Sequence, residues 1–116
     1  MTTVLIVDDH PAFRTSARHL LEDEGFVVVG EAADGQGALE QAEKLSPNVV
    51  LLDIQLPDID GFEVAEELRR RGGGAKIILT SSRDAGDYGA RIAESGARGF
   101  VPKGELSGAA IDLLVG

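Results

Sequence analysis

Carboxylate, hydroxyl and amino side chains directly follow several apolar stretches of this sequence. Asp8 and Asp9 come after the stretch that ends at Val7, and Asp53 comes after the run Val49–Leu52. Two later stretches are followed by hydroxyl and amino groups, namely Thr80, Ser81, Ser82 and Lys103. Carboxylates that lie beside a lysine and hydroxyl groups are able to bind a divalent cation and to accept a phosphoryl group.

The apolar stretches predict five strands that alternate with five helices. An uninterrupted run such as Val49–Leu52 is typical of a strand buried on both faces, as in a parallel sheet. The predicted strands are Thr3–Val7, Phe26–Val29, Val49–Leu52, Lys76–Thr80 and Phe100–Val101. The predicted helices are a segment from Pro11 to Gly25, then Ala38–Leu45, Gly61–Arg71, Ala85–Ser95 and Leu106–Val115. This alternation with short connections predicts one α/β domain of three layers.

The carboxyl ends of parallel strands share one edge of the sheet, where ligands bind in open α/β folds. Asp8, Asp9 and Asp53 are therefore expected to lie together, and three close carboxylates favour a bound cation or a proton. Oxygen ligands without cysteine or histidine favour Mg²⁺. An aspartate in such a cluster is able to attack a phosphoryl group, and Lys103 would neutralise part of the charge on the phosphoryl oxygens.

The composition limits the classes of function. The 116 residues suffice for one domain, and the absence of cysteine excludes disulfides and thiolate metal sites. The net charge of −9 argues against direct binding of nucleic acid, which requires clustered Lys and Arg. The basic cluster Arg69–Arg71 ends a predicted helix, where it complements the helix dipole. No apolar run reaches the roughly 20 residues of a membrane span and no signal-peptide pattern is present, so the expected location is the cytoplasm.

Three segments resemble the receiver domains of response regulators in two-component signalling. They are Val-Asp-Asp-His-Pro at 7–11, Leu-Asp-Ile-Gln-Leu-Pro-Asp-Ile-Asp-Gly at 52–61 and Gly-Phe-Val-Pro-Lys at 99–103. The Asp-Asp-His-Pro start and the Lys-Gly ending look most like the NarL-like branch. In that branch a helix-turn-helix domain of the LuxR type usually follows the receiver. Residues 1–116 are expected to hold the receiver alone, without an output domain, either as a stand-alone receiver or as the regulatory half of a transcriptional regulator.

The resemblance implies a flavodoxin-like fold, with a five-stranded parallel sheet in the order 2-1-3-4-5 and five helices. It also implies that Asp53 is the phosphoacceptor and that Lys103 binds a phosphoryl oxygen. Mg²⁺ would be bound by Asp8, Asp9, Asp53 and the backbone carbonyl of Gln55.

The resemblance also implies a switch that responds to the phosphoryl group. The gap-free register assigns the switch hydroxyl to Ser81, and Thr80 takes this place if the strand slips by one residue. Ser82 is the third hydroxyl of the same cluster, and Phe100 falls at the aromatic position that reports activation in many receivers. Gln55 and Arg83 lie where receivers tune the lifetime of the phosphoryl group.

The resemblance implies partners as well. A sensor histidine kinase would donate the phosphoryl group, and the surface of strand 4, helix 4, strand 5 and helix 5 would change. A second copy could then bind through the helix 4–strand 5–helix 5 face, or through helix 1 and helix 5. Such a domain phosphorylates and dephosphorylates itself but is not a turnover enzyme.

Two other functions use the same residue types. An aspartate-nucleophile phosphohydrolase also needs Mg²⁺, a lysine and a hydroxyl, but it usually has a second Asp as general acid where this chain has Gln55. A receiver-like fold that is never phosphorylated would serve only as an interaction platform. Turnover of a phosphate ester would favour the first alternative, and failure to bind millimolar Mg²⁺ would favour the second.

The fourth predicted helix is weaker than the others because it contains Gly86 and Gly89. Each glycine in a helix interior costs about 1 kcal/mol relative to alanine. We therefore predict that the first half of this segment is irregular.

Overall fold

The computed structural model describes residues 1–115, so Gly116, the last residue of the predicted domain, lies outside the described residues. The strands are β1 (Thr3–Val7), β2 (Val27–Ala32), β3 (Val49–Asp53), β4 (Lys76–Ser81) and β5 (Gly99–Pro102). The helices are α1 (Pro11–Asp23), α2 (Gly35–Leu45), α3 (Gly61–Arg71), α4 (Arg91–Glu94) and α5 (Gly108–Val115). Short 3₁₀ turns occupy Ala85–Asp87 and Lys103–Glu105.

The strands form one parallel sheet in the order β2-β1-β3-β4-β5, which confirms the predicted fold class. Helices cover both faces of the sheet, and each face has its own apolar core. Leu5, Val50 and Leu79 belong to the core under α2 and α3, which we call the α2/α3-side core. Ile6 and Leu51 belong to the core under α1 and α5, the α1/α5-side core. Because successive strand residues point to opposite faces, every strand contributes to both cores.

Aspartate side chains fix the starts of two helices beside the predicted site. Asp34 accepts a hydrogen bond from the backbone N–H of Gly37 at the start of α2, and Asp60 caps α3 in the same way through Glu63. Asp58, in the loop between β3 and α3, accepts hydrogen bonds from two backbone N–H groups at the start of α2. These N–H groups hold the pKa of Asp58 below its usual value. Capping therefore ties the loop that follows β3 to the neighbouring helix.

Several predicted boundaries were wrong by a few residues. Strand 2 was predicted as Phe26–Val29 but covers Val27–Ala32, and α2 begins three residues before Ala38. The β4 strand includes Ser81 instead of ending at Thr80. The β5 strand is longer by one residue at each end than Phe100–Val101, and α5 begins at Gly108 because Leu106 has an extended backbone.

The segment predicted as a fourth helix over Ala85–Ser95 is helical only in its second half. A 3₁₀ turn occupies Ala85–Asp87, and the α-helix is confined to Arg91–Glu94. Gly89, between them, has a φ of 58°, which is a left-handed conformation that interrupts a helix. The prediction of an irregular first half is therefore confirmed. Among residues 1–115, none of the helices is long and apolar enough to cross a membrane.

Candidate functional site

Asp53 ends the central strand β3, and its side chain is almost completely buried, with 2% of its surface exposed. Every residue of β3 is buried, so the packing of the strand fixes the position of this carboxylate at the edge of the sheet. The backbone N–H of Gln55 donates a hydrogen bond to Asp53 Oδ1 over 3.2 Å. The start of α3 closes against the strand end, because Gly61 N–H donates to the carbonyl of Ile54 over 2.7 Å. Asp53 thus lies in a rigid setting.

Asp8 and Asp9 follow the neighbouring strand β1. The side chain of Asp8 is fully buried, whereas the side chain of Asp9 is 36% exposed. His10, which directly precedes α1, brings its Nδ1 within 3.0 Å of Asp8 Oδ1 and 3.1 Å of Asp9 Oδ1. The two strand ends therefore place a mostly buried acidic cluster at the edge where the sequence predicted one.

Lys103 reaches this cluster from the turn after β5. Its Nζ lies 2.7 Å from Asp8 Oδ2 and 3.5 Å from Asp53 Oδ2. The side chain is 16% exposed, and its ammonium group lies 4.7 Å from the centre of the Phe13 ring. Among residues 1–115, Lys103 is the only lysine or arginine that forms an ion pair with Asp8, Asp9 or Asp53, so the three carboxylates keep an excess of negative charge.

The pKa of Asp53 is raised to about 6. Burial is the main cause because it disfavours the charged carboxylate, and the nearby charge of Asp8 acts in the same direction. Lys103 and the N–H of Gln55 oppose this effect but do not cancel it. Asp53 would thus gain from any further positive charge at the site.

The cluster has the donors of a site for a hard cation. Asp8, Asp9, His10 and Asp53 each offer one ligand atom, and these atoms all lie within 4.8 Å of one another. Among the residues that the structure describes, Asp8 Oδ2 and Asp9 Oδ1 are buried and have no hydrogen-bond partner. The approach of Lys103 to Asp8 Oδ2 is an ion pair without hydrogen-bonding geometry. Carboxylate oxygens with free lone pairs are the ligands that Mg²⁺ prefers.

The hydroxyls at the carboxyl end of β4, those of Thr80, Ser81 and the following Ser82, lie in different surroundings. Thr80 is the register neighbour of Asp53, and its Oγ1 is buried without a hydrogen-bond partner among the described residues. Ser81 is buried as well, but its Oγ lies 2.6 Å from Tyr88 Oη and accepts a hydrogen bond from the N–H of Arg83. Ser82 is exposed. Of these three hydroxyls, that of Ser81 is thus already engaged away from the acidic cluster.

Tyr88 is the residue of this region that the sequence analysis missed. Its ring packs against Phe62, with 5.7 Å between ring centres, and against Phe100, with 6.1 Å between ring centres. Phe100, predicted as the reporting aromatic residue, is half-buried beside it. Tyr88 is the only tyrosine of the chain, but its spacing of seven residues from Ser81 across an irregular loop gives no signal in the sequence.

The structure therefore gathers Asp8, Asp9, Asp53 and Lys103 at one point. It places Ser81, Tyr88 and Phe100 in a second group. Gln55 and Arg83 are exposed residues. The backbone N–H of Gln55 donates to Asp53 in the first group, and that of Arg83 donates to Ser81 in the second.

The chain matches the family model described as "Response regulator receiver domain" over residues 4–111. A Pseudomonas aeruginosa protein named as a transcriptional regulator is 44% identical over 105 residues, which are 90% of this chain and 51% of that protein. The DNA-binding transcriptional activator EvgA of Escherichia coli is 36% identical over 101 residues, which are 87% of this chain and 50% of EvgA.

A solved structure agrees with these sequence matches. The LuxR-family two-component response regulator from Aurantimonas has a TM-score of 0.87 and 32% identity, covering 98% of this chain and 86% of that one. The chain belongs to the response regulator receiver domains, and its relatives are of the NarL/LuxR type. It spans about half the length of the curated relatives that it matches.

Proposed function

We propose that this domain accepts a phosphoryl group from a sensor histidine kinase onto Asp53. The observation that carries the proposal is the surrounding of Asp53. It is a buried carboxylate whose Oδ2 lies 3.5 Å from Lys103 Nζ, beside carboxylate oxygens that have no hydrogen-bond partner within residues 1–115. A phosphohistidine is the donor that two-component signalling supplies to a receiver.

In the transfer, an Asp53 carboxylate oxygen attacks the phosphorus atom of the donor. The new bond is an O–P bond, while the P–N bond to the kinase histidine breaks and its electron pair stays on the imidazole nitrogen. Lys103 holds a phosphoryl oxygen, because its Nζ already lies beside the attacking carboxylate. Burial of Asp53 excludes water and strengthens these charge interactions.

The acidic cluster fits Mg²⁺. We propose that Asp8, Asp9, Asp53 and the backbone carbonyl of Gln55 would hold the ion. When bound, Mg²⁺ neutralises charge on the phosphoryl oxygens. The buried Oδ2 of Asp8 and Oδ1 of Asp9 support this assignment, because neither accepts a hydrogen bond from any residue that the structure describes. His10 Nδ1 lies near the same oxygens, but hard oxygen donors suit Mg²⁺ better than imidazole.

Phosphorylation adds about 1.5 to 2 negative charges at Asp53. Lys103 meets this charge directly, and Ser81 moves to donate a hydrogen bond to the phosphoryl group. Thr80 is the alternative donor, because it is the register neighbour of Asp53 and its hydroxyl lacks a partner among the described residues. Ser82, the third hydroxyl of the cluster, follows these two residues in the chain and is exposed.

We further propose which residue responds to phosphorylation and which residues set the lifetime of the phosphoryl group. Phe100 changes its rotamer when the β4–α4 segment moves. The exposed side chains of Gln55 and Arg83 control the access of water to the phosphoryl group and thus its lifetime.

We infer that the domain, over residues 1–116, is the regulatory part of a transcriptional regulator that acts in the cytoplasm. It carries out its own phosphorylation and dephosphorylation rather than turning over a substrate. A second copy would bind through the α4–β5–α5 face or through α1 and α5. Leu113 on α5 supports such an interface, because 86% of its surface is exposed. The activator name of EvgA supports the transcriptional role.

The test is labelling by acetyl phosphate, a small phosphoryl donor, in the presence of Mg²⁺. The wild-type protein is expected to take up one phosphoryl group, and Asp53→Asn is expected to take up none. Asp23→Asn is the matched control, because Asp23 is an exposed residue of α1. Equal labelling of Asp53→Asn and wild type would disprove the assignment.

A further inference from the structure

The hydroxyl of Ser81 is held by its own side of the β4–α4 segment. Ser81 Oγ lies 2.6 Å from Tyr88 Oη and accepts a second hydrogen bond, over 3.0 Å, from the N–H of Arg83. Ser81 itself is fully buried. A hydroxyl with two such partners has most of its hydrogen-bonding capacity filled.

Ser81 and Asp53 lie on opposite faces of the sheet. In β4, Ile77 and Leu79 belong to the α2/α3-side core, and Ser81 continues that row toward Tyr88. In β3, Leu51 belongs to the α1/α5-side core, and Asp53 continues that row toward Lys103. Because strand residues alternate between faces, Ser81 cannot meet a group on Asp53 until the end of β4 changes conformation.

Tyr88 is well placed to oppose this change. Its ring packs edge-on against Phe62 with 65° between the ring planes, and it packs against Phe100 at 53°. Arg91 in turn lies over the ring of Phe62, with its guanidinium carbon 4.2 Å from the ring centre. Tyr88 thus connects Ser81 to the aromatic residues of α3 and β5.

We propose that Tyr88 is a positioning residue that holds Ser81 in the unphosphorylated state. This proposal rests on the proposed function, in which Ser81 donates a hydrogen bond to the phosphoryl group. The bond between Tyr88 and Ser81 has to be lost or rearranged when Ser81 turns to the face of Asp53. Tyr88 therefore sets part of the cost of activation, and removal of its hydroxyl lowers this cost.

The experiment compares Tyr88→Phe with the wild-type protein in binding of beryllofluoride, a phosphoryl mimic, in the presence of Mg²⁺. Phenylalanine keeps the ring and removes only the hydroxyl, so the packing against Phe62 and Phe100 is retained. A hydrogen bond of ordinary net strength predicts binding that is about two- to tenfold tighter. Equal or weaker binding by Tyr88→Phe would overturn the proposal.

A double-mutant cycle with Ser81→Ala separates this role from a general effect on the loop. Tyr88→Phe is expected to have no further effect on beryllofluoride binding when Ser81 is already alanine. The same gain in both backgrounds would mean that the hydroxyl acts through another group, which would overturn the proposal. The proposal would likewise be overturned if Tyr88→Phe changed beryllofluoride binding in neither background, which is the result expected if Thr80 rather than Ser81 binds the phosphoryl group.

Tyrosine absorption gives a second readout, because the chain has one tyrosine and no tryptophan. The near-ultraviolet spectrum is expected to change when beryllofluoride saturates the wild-type protein, and an unchanged spectrum would contradict release of the hydroxyl. Acetyl phosphate labelling of the wild type keeps the two hypotheses apart. Without labelling, the proposed function fails and this inference fails with it, whereas labelling with no effect of Tyr88→Phe disproves this inference alone.

Discussion

Lys103 Nζ lies 2.7 Å from Oδ2 of Asp8. The same ammonium group is 3.5 Å from Oδ2 of Asp53. The negative charge of Asp53, the proposed phosphoacceptor, is therefore less well neutralised by Lys103 than the charge of Asp8. Both carboxylates are buried, and a single ammonium group cannot neutralise both. The metal-free site is therefore a place of unfavourable charge in the folded protein.

The stability of the metal-free protein should record this charge. The pKa of Asp53 is raised from 3.8 to about 6, so between these values the folded state holds a proton that the unfolded state has lost. Stability therefore falls as the pH rises through this window, and it stays lower above it. Asp53→Asn lacks this titration, and at pH 7 it should be more stable than wild type by up to roughly 3 kcal/mol.

The measurement is urea unfolding of both proteins at several pH values in buffer with a chelator. The advantage of Asp53→Asn should be small near pH 4 and should reach its full size above pH 6. An advantage that does not vary with pH, or a less stable Asp53→Asn at pH 7, would contradict the electrostatic account of the site.

Mg²⁺ affinity should depend on Asp9. Its buried Oδ1 forms no hydrogen bond among the described residues and lies 3.1 Å from His10 Nδ1, so replacing the carboxylate by an amide mainly removes an anionic ligand. Asp9→Asn is expected to weaken Mg²⁺ binding at least about tenfold in calorimetric titration. Asp23→Asn serves again as the control with an equal change of charge, and it should bind as wild type does. Identical affinities for the two variants would show that Asp9 is not a ligand.

Gly61 is required by close packing rather than by a special backbone conformation. A Cβ at this position would lie 2.7 Å from the Cα of Ile54 and would also meet the backbone carbonyl of Asp53. Since the backbone on both sides has to shift, Gly61→Ala should lower the free energy of unfolding by about 1 to 3 kcal/mol.

Gly73→Ala is the matched control for this substitution, because a Cβ at Gly73 has no neighbour within 4 Å. Its unfolding free energy should stay within about 0.5 kcal/mol of wild type. Urea unfolding checks both variants. Equal stabilities would show that the loop after β3 adapts and that Asp53 is held less rigidly than the packing indicates.

The sequence predicted the parts of the fold that have a clear apolar pattern. The uninterrupted run Val49–Leu52 identified β3, but the predicted β2 ended too early, at Val29, because Gly30 and Glu31 interrupt the apolar pattern there. In the structure, Glu31 is accepted in the strand because it pairs with Arg14 and Arg18 from α1. Gly30 lies under α2, where a Cβ would be 2.6 Å from a methyl group of Leu45. Both reasons are tertiary contacts, which local patterns do not contain.

In the candidate site, too, the residues at strand ends could be predicted, whereas a contact that depends on tertiary structure could not. Asp8, Asp53 and Lys103 were predicted together because strand ends of a parallel sheet converge. The contact between Ser81 and Tyr88 could not be predicted, since it depends on the path of the irregular segment between them, which contains the 3₁₀ turn Ala85–Asp87. The sequence analysis thus located the acidic cluster, whereas the structure added the group that holds Ser81.

The most direct test of the central claim is to locate the phosphoryl group. The protein is labelled with acetyl phosphate and Mg²⁺, the acyl phosphate is reduced with borohydride to leave a homoserine, and the peptides are analysed by mass spectrometry. We predict that the modified residue is Asp53 in the wild-type protein and that Asp53→Asn yields no modified peptide. Homoserine at another aspartate in the wild type, or in Asp53→Asn in equal amount, would contradict the account.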